Sequence, residues 1–220
     1  MGKRVLAVVL AVCLLLGAVY VREAPRAEAS GWNYETWPNK AKMKNGVGSY
    51  GSWRRSYWID QSAMQYEDYI VQARNDWVYT SNVVRTSIDI QRTYTKKDAV
   101  FEIHQSQRYR PAAGNYAETD FYEFASSANI MDGGADPSRD YYWTYINLNG
   151  SNFASLRTNV GGLNHQKGTI AHEFGHAFGL AHLPDSNSYK VNYLMCKTGD
   201  GRNVDCVQRD ELMGINDLYG

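Results

Sequence analysis

Apolar residues recur along this chain in two rhythms, and the rhythms predict its elements. Trp53 to Ile59 is rich in aromatic and β-branched residues and predicts a strand. Ser62-Ala-Met-Gln65 has the form of a capping box, and Tyr66, Ile70, Ala73 and Trp77 then follow at helical spacing. Val84, Thr86, Ile88 and Ile90 alternate with Arg85, Ser87 and Asp89, as a half-buried strand should. Phe101 with Ile103 repeats that alternation, and so do Thr144, Ile146 and Leu148. At about 100° per residue, Ile170, Phe174, Ala177, Phe178 and Ala181 share one side of a second helix. Leu212, Ile215 and Leu218 mark a last one. Strand, helix, several strands, helix, loop and helix make an α+β fold, a twisted mixed sheet backed by helices. Residues 30–49 lack sustained periodicity and read as an irregular N-terminal arm, leaving 50–220 as the folded domain.

The first residues change the picture of where the chain works. Lys3-Arg4, an apolar run from Val5 to Val21, and Ala27-Glu28-Ala29 before Ser30 read as an export signal over residues 1–29. The rival reading is an uncleaved membrane anchor, for which the run is at the short limit. Cleavage makes the protein secreted and extracellular, without stable membrane association. It removes four of 23 basic and two of 23 acidic residues, leaving a net charge of −2. Such a balance offers no electrostatic footprint for nucleic acid. The seventeen Tyr and six Trp suit strands and sticky surfaces alike and decide nothing about substrate.

Cys196 and Cys206 remain after cleavage, and an even pair in an exported chain predicts a disulfide worth about 3 kcal/mol. Two free thiols are the alternative. Asp132-Gly-Gly-Ala-Asp136 with Asp140 clusters oxygen ligands in a Gly-rich loop, as calcium prefers, although the spacing matches no defined calcium loop and an ordinary turn fits as well. His165, seven before His172, could line the cleft, but a lone histidine is more often a hydrogen-bonded surface or core residue, and it is not taken as a ligand.

Chemistry concentrates in His172-Glu-Phe-Gly-His176-Ala-Phe-Gly179-Leu-Ala-His182. Residues four apart share a helix face, so His172 and His176 can aim both imidazoles at one ion. Gly179 can take a backbone conformation that ends the helix and turns the chain back, bringing in His182 as a third ligand. Three nitrogen ligands leave a position open for water, the arrangement of a catalytic zinc site; a structural one needs a fourth protein ligand. Glu173, one step round the helix, is placed to act on that water as general base.

This HExxHxxGxxH pattern resembles that of the metzincin zinc peptidases. Met195, in Asn192-Tyr-Leu-Met-Cys196, is the candidate for their methionine turn beneath the metal. Asp210 to Gly220, with its Gly-Ile…Leu-Tyr-Gly phrase, is similar to the final helix of the matrixin branch, and Tyr57-Trp-Ile-Asp60 with Tyr69 to Ala73 and Trp77 to its first strand and helix. The resemblance implies a metzincin-like catalytic domain with a zinc-binding active-site helix and a C-terminal helix. It also implies that the loop after Met195, pinned by the expected disulfide, walls the pocket for the residue after the scissile bond. Cys196-Lys197 stand where matrixins usually carry a Pro, and the connection from His182 to Met195 is longer. His104 is followed by Gln105-Ser106, so the family's second, structural zinc is not expected.

The resulting expectation is a monomeric, secreted zinc endopeptidase acting on peptide or protein substrates. Its metal ligands are His172, His176 and His182, and its proton acceptor is Glu173. Two alternatives stay open: a zinc-binding protein that has lost catalysis on a peptidase fold, and a surface factor that processes only its own chain. A non-catalytic site has no need of Glu173, which separates the first of these.

Overall fold

The computed structural model describes residues 32–49, 54–106, 114–123, 136–184, 191–198 and 201–220, and Trp32–Gly220 forms one compact unit. The expected signal segment, residues 1–29, and Asp132 of the acidic loop lie outside the described residues. Among the described residues no helix is long and apolar enough to cross a membrane.

In chain order the strands are β1 (Glu35–Thr36), β2 (Arg55–Ile59), β3 (Ile90–Arg92), β4 (Phe101–Gln105), β5 (Ala117–Tyr122), β6 (Trp143–Leu148), β7 (Thr158–Val160), β8 (Leu163–Asn164) and β9 (Leu180–Ala181). The α-helices are α1 (Glu67–Val78), α2 (Gly150–Ala154), α3 (His165–Ala177) and α4 (Arg209–Tyr219). A five-stranded mixed sheet runs in the order β3-β2-β4-β6-β5. Its first four strands are parallel, and β5 closes the edge antiparallel to β6, with Thr119 opposite Ile146. The architecture is therefore α+β, a mixed sheet backed by helices.

Helix α1 starts as the spacing predicts but is capped differently. Asp60, not Ser62, accepts from the Ser62 backbone N–H at 2.9 Å and opens a 3-10 turn over Gln61–Tyr66. Asp60 wins because its carboxylate is acceptor-only, and the Ser62 hydroxyl is occupied in donating to it at 2.6 Å. Glu67 and Asp68 then stand in the first turn of α1, where the helix dipole favours acid. Ile70, Ala73 and Trp77 face inwards, and the Trp77 indole N–H donates to the Ala171 carbonyl at 2.8 Å, locking α1 against α3.

A second difference concerns Val84–Ile90. Only Ile90 enters a strand, and Thr86 to Ile90 are buried without a break, where alternation implied one wet face. The N-terminal arm covers that face. Asp89 N–H donates to the Val47 carbonyl at 3.0 Å, and a Cβ on Gly48, at φ 133°, would strike the backbone of Asp89 and Ser87. Side chains of the arm belong to the core itself: Trp37, Ala41, Met43 and Val47 are buried with the sheet and helices.

Candidate metal centre

Helix α3 begins at Asn164, whose side chain accepts from Lys167 N–H at 3.0 Å. Two of its glycines are there for close approach: a Cβ on Gly168 would lie 2.9 Å from Asp205 Cα, and one on Gly175 would collide with Met195 Sδ. Met195 therefore packs directly against the turn of α3 that separates His172 from His176. The helix ends at Ala177. Gly179, at φ 112°, reverses the chain as its position in the sequence predicts, and the Gly179 N–H donates to the His176 carbonyl at 3.0 Å. The two residues that follow pair as β9 with β1 (Thr36 opposite Leu180), which sets His182 over the helix.

All three predicted ligands converge. His182 Nε2 lies 3.0 Å from His172 Nε2 and 3.1 Å from His176 Nε2. On the far side of each helical imidazole a backbone carbonyl fixes the tautomer. His172 Nδ1 donates to Leu194 O at 2.7 Å and His176 Nδ1 to Leu180 O at 2.8 Å. Both Nε2 atoms are then bare acceptors. The one proton that His182 Nε2 can carry satisfies only one of them, so at least one close nitrogen pair brings lone pair against lone pair. A cation removes that conflict. Nitrogens held about 2.0–2.1 Å from one tetrahedral ion stand about 3.3 Å apart, close to the spacing here. The triad can hold a metal ion, and its all-imidazole donor set, oriented by carbonyls, is compatible with zinc. Burial, reinforced by the neighbouring imidazoles, holds His172 and His176 well below the usual histidine pKa, so both are neutral and ready to ligate at neutral pH.

Glu173 is 4% exposed and opens onto the same cleft, of about 430 Å³, as the three histidines. Burial pushes its carboxyl up to about 7, opposed by a 2.7 Å hydrogen bond from Thr119 Oγ1 and by the charge of Arg202. A carboxyl poised there can take up and release a proton at neutral pH. Nothing in the sequence analysis singled out Thr119. It reaches the site because β5 runs along the cleft as the edge strand; Ala117, Thr119 and Phe121 alternate with Glu118 and Asp120, a strand signal that the sequence offered and the sequence reading did not use.

Three further residues escaped the sequence reading. Trp37, from the arm, donates its indole N–H to the His176 carbonyl at 3.1 Å, and its ring lies 5.1 Å from that imidazole. Glu211 is fully buried and does two tasks. Oε2 accepts from Gln208 N–H at 2.7 Å in a capping box at the start of α4, while Oε1 accepts from Leu194 and Met195 N–H at 2.8 and 3.3 Å. Gln208-x-x-Glu211 was a readable capping signature; its second grip, on the backbone of Leu194 and Met195, has no local signal. Arg202 is 2% exposed and donates to the Leu194 carbonyl at 2.6 Å, the same oxygen that orients His172.

The expected disulfide is absent: Cys196 and Cys206 are both free thiols. They serve different surroundings. Cys196 lines the cleft, its sulfur 3.5 Å from the Thr198 carbonyl, whereas Cys206 lies by Gln208 and near Lys167. Arg202 and Glu211 hold the backbone of Leu194 and Met195, just before Cys196. His165 sits in the first turn of α3, buried, outside the triad. His104 stacks on Tyr145 at 4.0 Å and contacts Glu102 at 3.0 Å, on β4. Of the acidic loop, Asp136 is exposed and lines the cleft, while Asp140 accepts from Lys42 N–H at 3.2 Å. No family model matches the chain, and no curated protein matches it.

Proposed function

We propose that this chain is a secreted zinc endopeptidase of the metzincin type, similar to the matrixin branch, that hydrolyses peptide bonds in extracellular substrates. One observation carries the reading: three imidazole Nε2 atoms converge in a cleft that also holds the buried carboxyl of Glu173, which lies outside the ligand set. Metal storage needs no such carboxyl. Hydrolysis does.

Zinc bound by His172, His176 and His182 would supply Lewis acidity, lowering the pKa of a coordinated water and polarising a carbonyl oxygen. The chain supplies the proton traffic. Glu173 accepts a proton on its carboxylate from the attacking water and returns it to the departing amine. Thr119, by donating to Oε2, orients that carboxylate and leaves Oε1 to receive the proton. Leu194 and Leu180 carbonyls hold the imidazoles in the tautomer that offers Nε2. Met195, packed under α3 at Gly175, supports the helical turn between the ligands. A peptide laid along the outer side of β5, the edge strand among the described residues, would gain main-chain hydrogen bonds. Secretion is proposed from residues 1–29, and Zn²⁺ is the metal proposed for the triad. The reading is tested by zinc content and peptide cleavage in the parent and in Glu173→Ala.

A further inference from the structure

The cleft is not uniform in charge. Three carboxylates, Glu118, Asp136 and Glu173, and two cations, Lys197 and Arg202, line it, with the hydroxyls of Thr169 and Thr198. Thr169 stands one turn before Glu173 on α3, and Arg202 Nη2 donates to its Oγ1 at 3.1 Å, so the guanidinium lies at the Glu173 end of the cleft.

Arg202 is poorly compensated for a buried cation. It is 2% exposed, both its hydrogen-bond acceptors are neutral, and its Nε has no partner. Glu173, Glu211 and Asp205 act on it through space, yet among the described residues no carboxylate is paired with it. Two of five N–H groups are used. Tying the Leu194 carbonyl to Thr169 needs a neutral donor only; an amide would do that without the cost of burying a charge. A guanidinium is the group whose fork matches a carboxylate.

We propose that this cleft selects peptides with Asp or Glu beside the scissile bond, the substrate carboxylate pairing with Arg202. The proposal rests on the endopeptidase reading and specifies its substrate class.

The test uses the zinc-loaded full chain and matched peptides that differ only beside the cut, carrying Glu, Gln or Leu. Expected is a kcat/KM at least tenfold higher for Glu than for Gln or Leu. Arg202→Lys should keep part of that preference and Arg202→Gln should lose it. Because Arg202 also holds Leu194, a variant that fails to fold is set aside and the peptide comparison on the unaltered protein decides. Equilibrium binding of the same peptides to zinc-loaded Glu173→Gln gives a second readout, with the Glu peptide expected to bind about tenfold more tightly. Cleavage of all three at equal rates, with equal binding, overturns acid selection and leaves the peptidase reading intact. Preferential binding of the Glu peptide with no cleavage by the parent protein overturns the peptidase reading and leaves acid recognition by Arg202 standing. Neither cleavage nor preferential binding overturns both.

Discussion

The indole N–H of Trp37 donates to the carbonyl of His176 at 3.1 Å, joining the N-terminal arm to the turn that carries the histidine triad across 139 positions of sequence. Trp37 N–H also donates to the Gly179 carbonyl at 3.2 Å, so the arm clasps both sides of the turn that delivers His182. Trp37→Phe keeps most of the packing and removes the indole bond, and should cost about 1 kcal/mol. Trp37→Ala empties a buried site and should cost about 3–5 kcal/mol, with zinc released at lower chelator concentration. Denaturant melts and a chelator titration check both. A Trp37→Ala protein as stable and zinc-retentive as the parent would show that the arm is dispensable.

The free thiols make a direct prediction. Burial raises the pKa of both Cys196 and Cys206, so each reacts sluggishly with a thiol reagent in the native protein at neutral pH and readily once unfolded. Both should be labelled after denaturation without reductant, and the intact mass should match the dithiol. A mass two hydrogens lighter, with residues 196 and 206 linked in the digest, would contradict the structure.

Met195 and Gly175 share a space that admits no further methyl group. Gly175→Ala should cost about 1–3 kcal/mol by overpacking, offset in part by the roughly 1 kcal/mol that alanine gains in helix propensity. The displaced sulfur should also disturb the turn between His172 and His176 and weaken zinc. Stability and zinc affinity equal to the parent would sink the idea that Met195 buttresses α3.

How much of this was legible in the sequence divides by range. Ligands, carboxylate and the Gly179 turn are encoded within eleven residues, because helical geometry converts their spacing directly into a shared face. Trp37, Thr119, Arg202 and Glu211 arrive from arm, edge strand and loop, and what recruits them is tertiary pairing: Thr36 with Leu180, Thr119 with Ile146, Glu211 with Leu194. Spacing carries no trace of such partners. The same blindness explains Thr86–Ile90, whose alternation signalled a wet face that Val47 and Gly48 cover. Cysteine parity misled for a related reason, since it counts thiols without knowing where the fold puts them, Cys196 on the cleft and Cys206 beside Gln208.

Glu211 predicts a pH dependence of stability. Burial raises its carboxyl to about 7 against an ordinary 4.5, although the backbone N–H groups of Gln208, Met195, Leu194 and Glu211 itself pull the other way. Between those values the folded protein keeps a proton that the unfolded chain has released. The contribution of this group is therefore fully present below about 4.5 and is lost as pH rises towards 7, by up to about 3 kcal/mol. Glu211→Gln has no proton to lose. Its stability deficit relative to the parent should shrink across that window, measured by denaturant unfolding at a series of pH values. A deficit that is constant, or grows with pH, would show the carboxylate ionised throughout.

Zinc-dependent hydrolysis driven by Glu173 is the centre of this account, and Glu173→Ala isolates it. The parent, purified without chelator, should carry close to one zinc per chain and cut an unbiased peptide library. Glu173→Ala should retain that zinc, since its carboxyl lies outside the His172, His176 and His182 set, while turnover falls roughly 10²–10⁴-fold. Zinc retained with near-parent cleavage, or cleavage by metal-free parent protein, would contradict it.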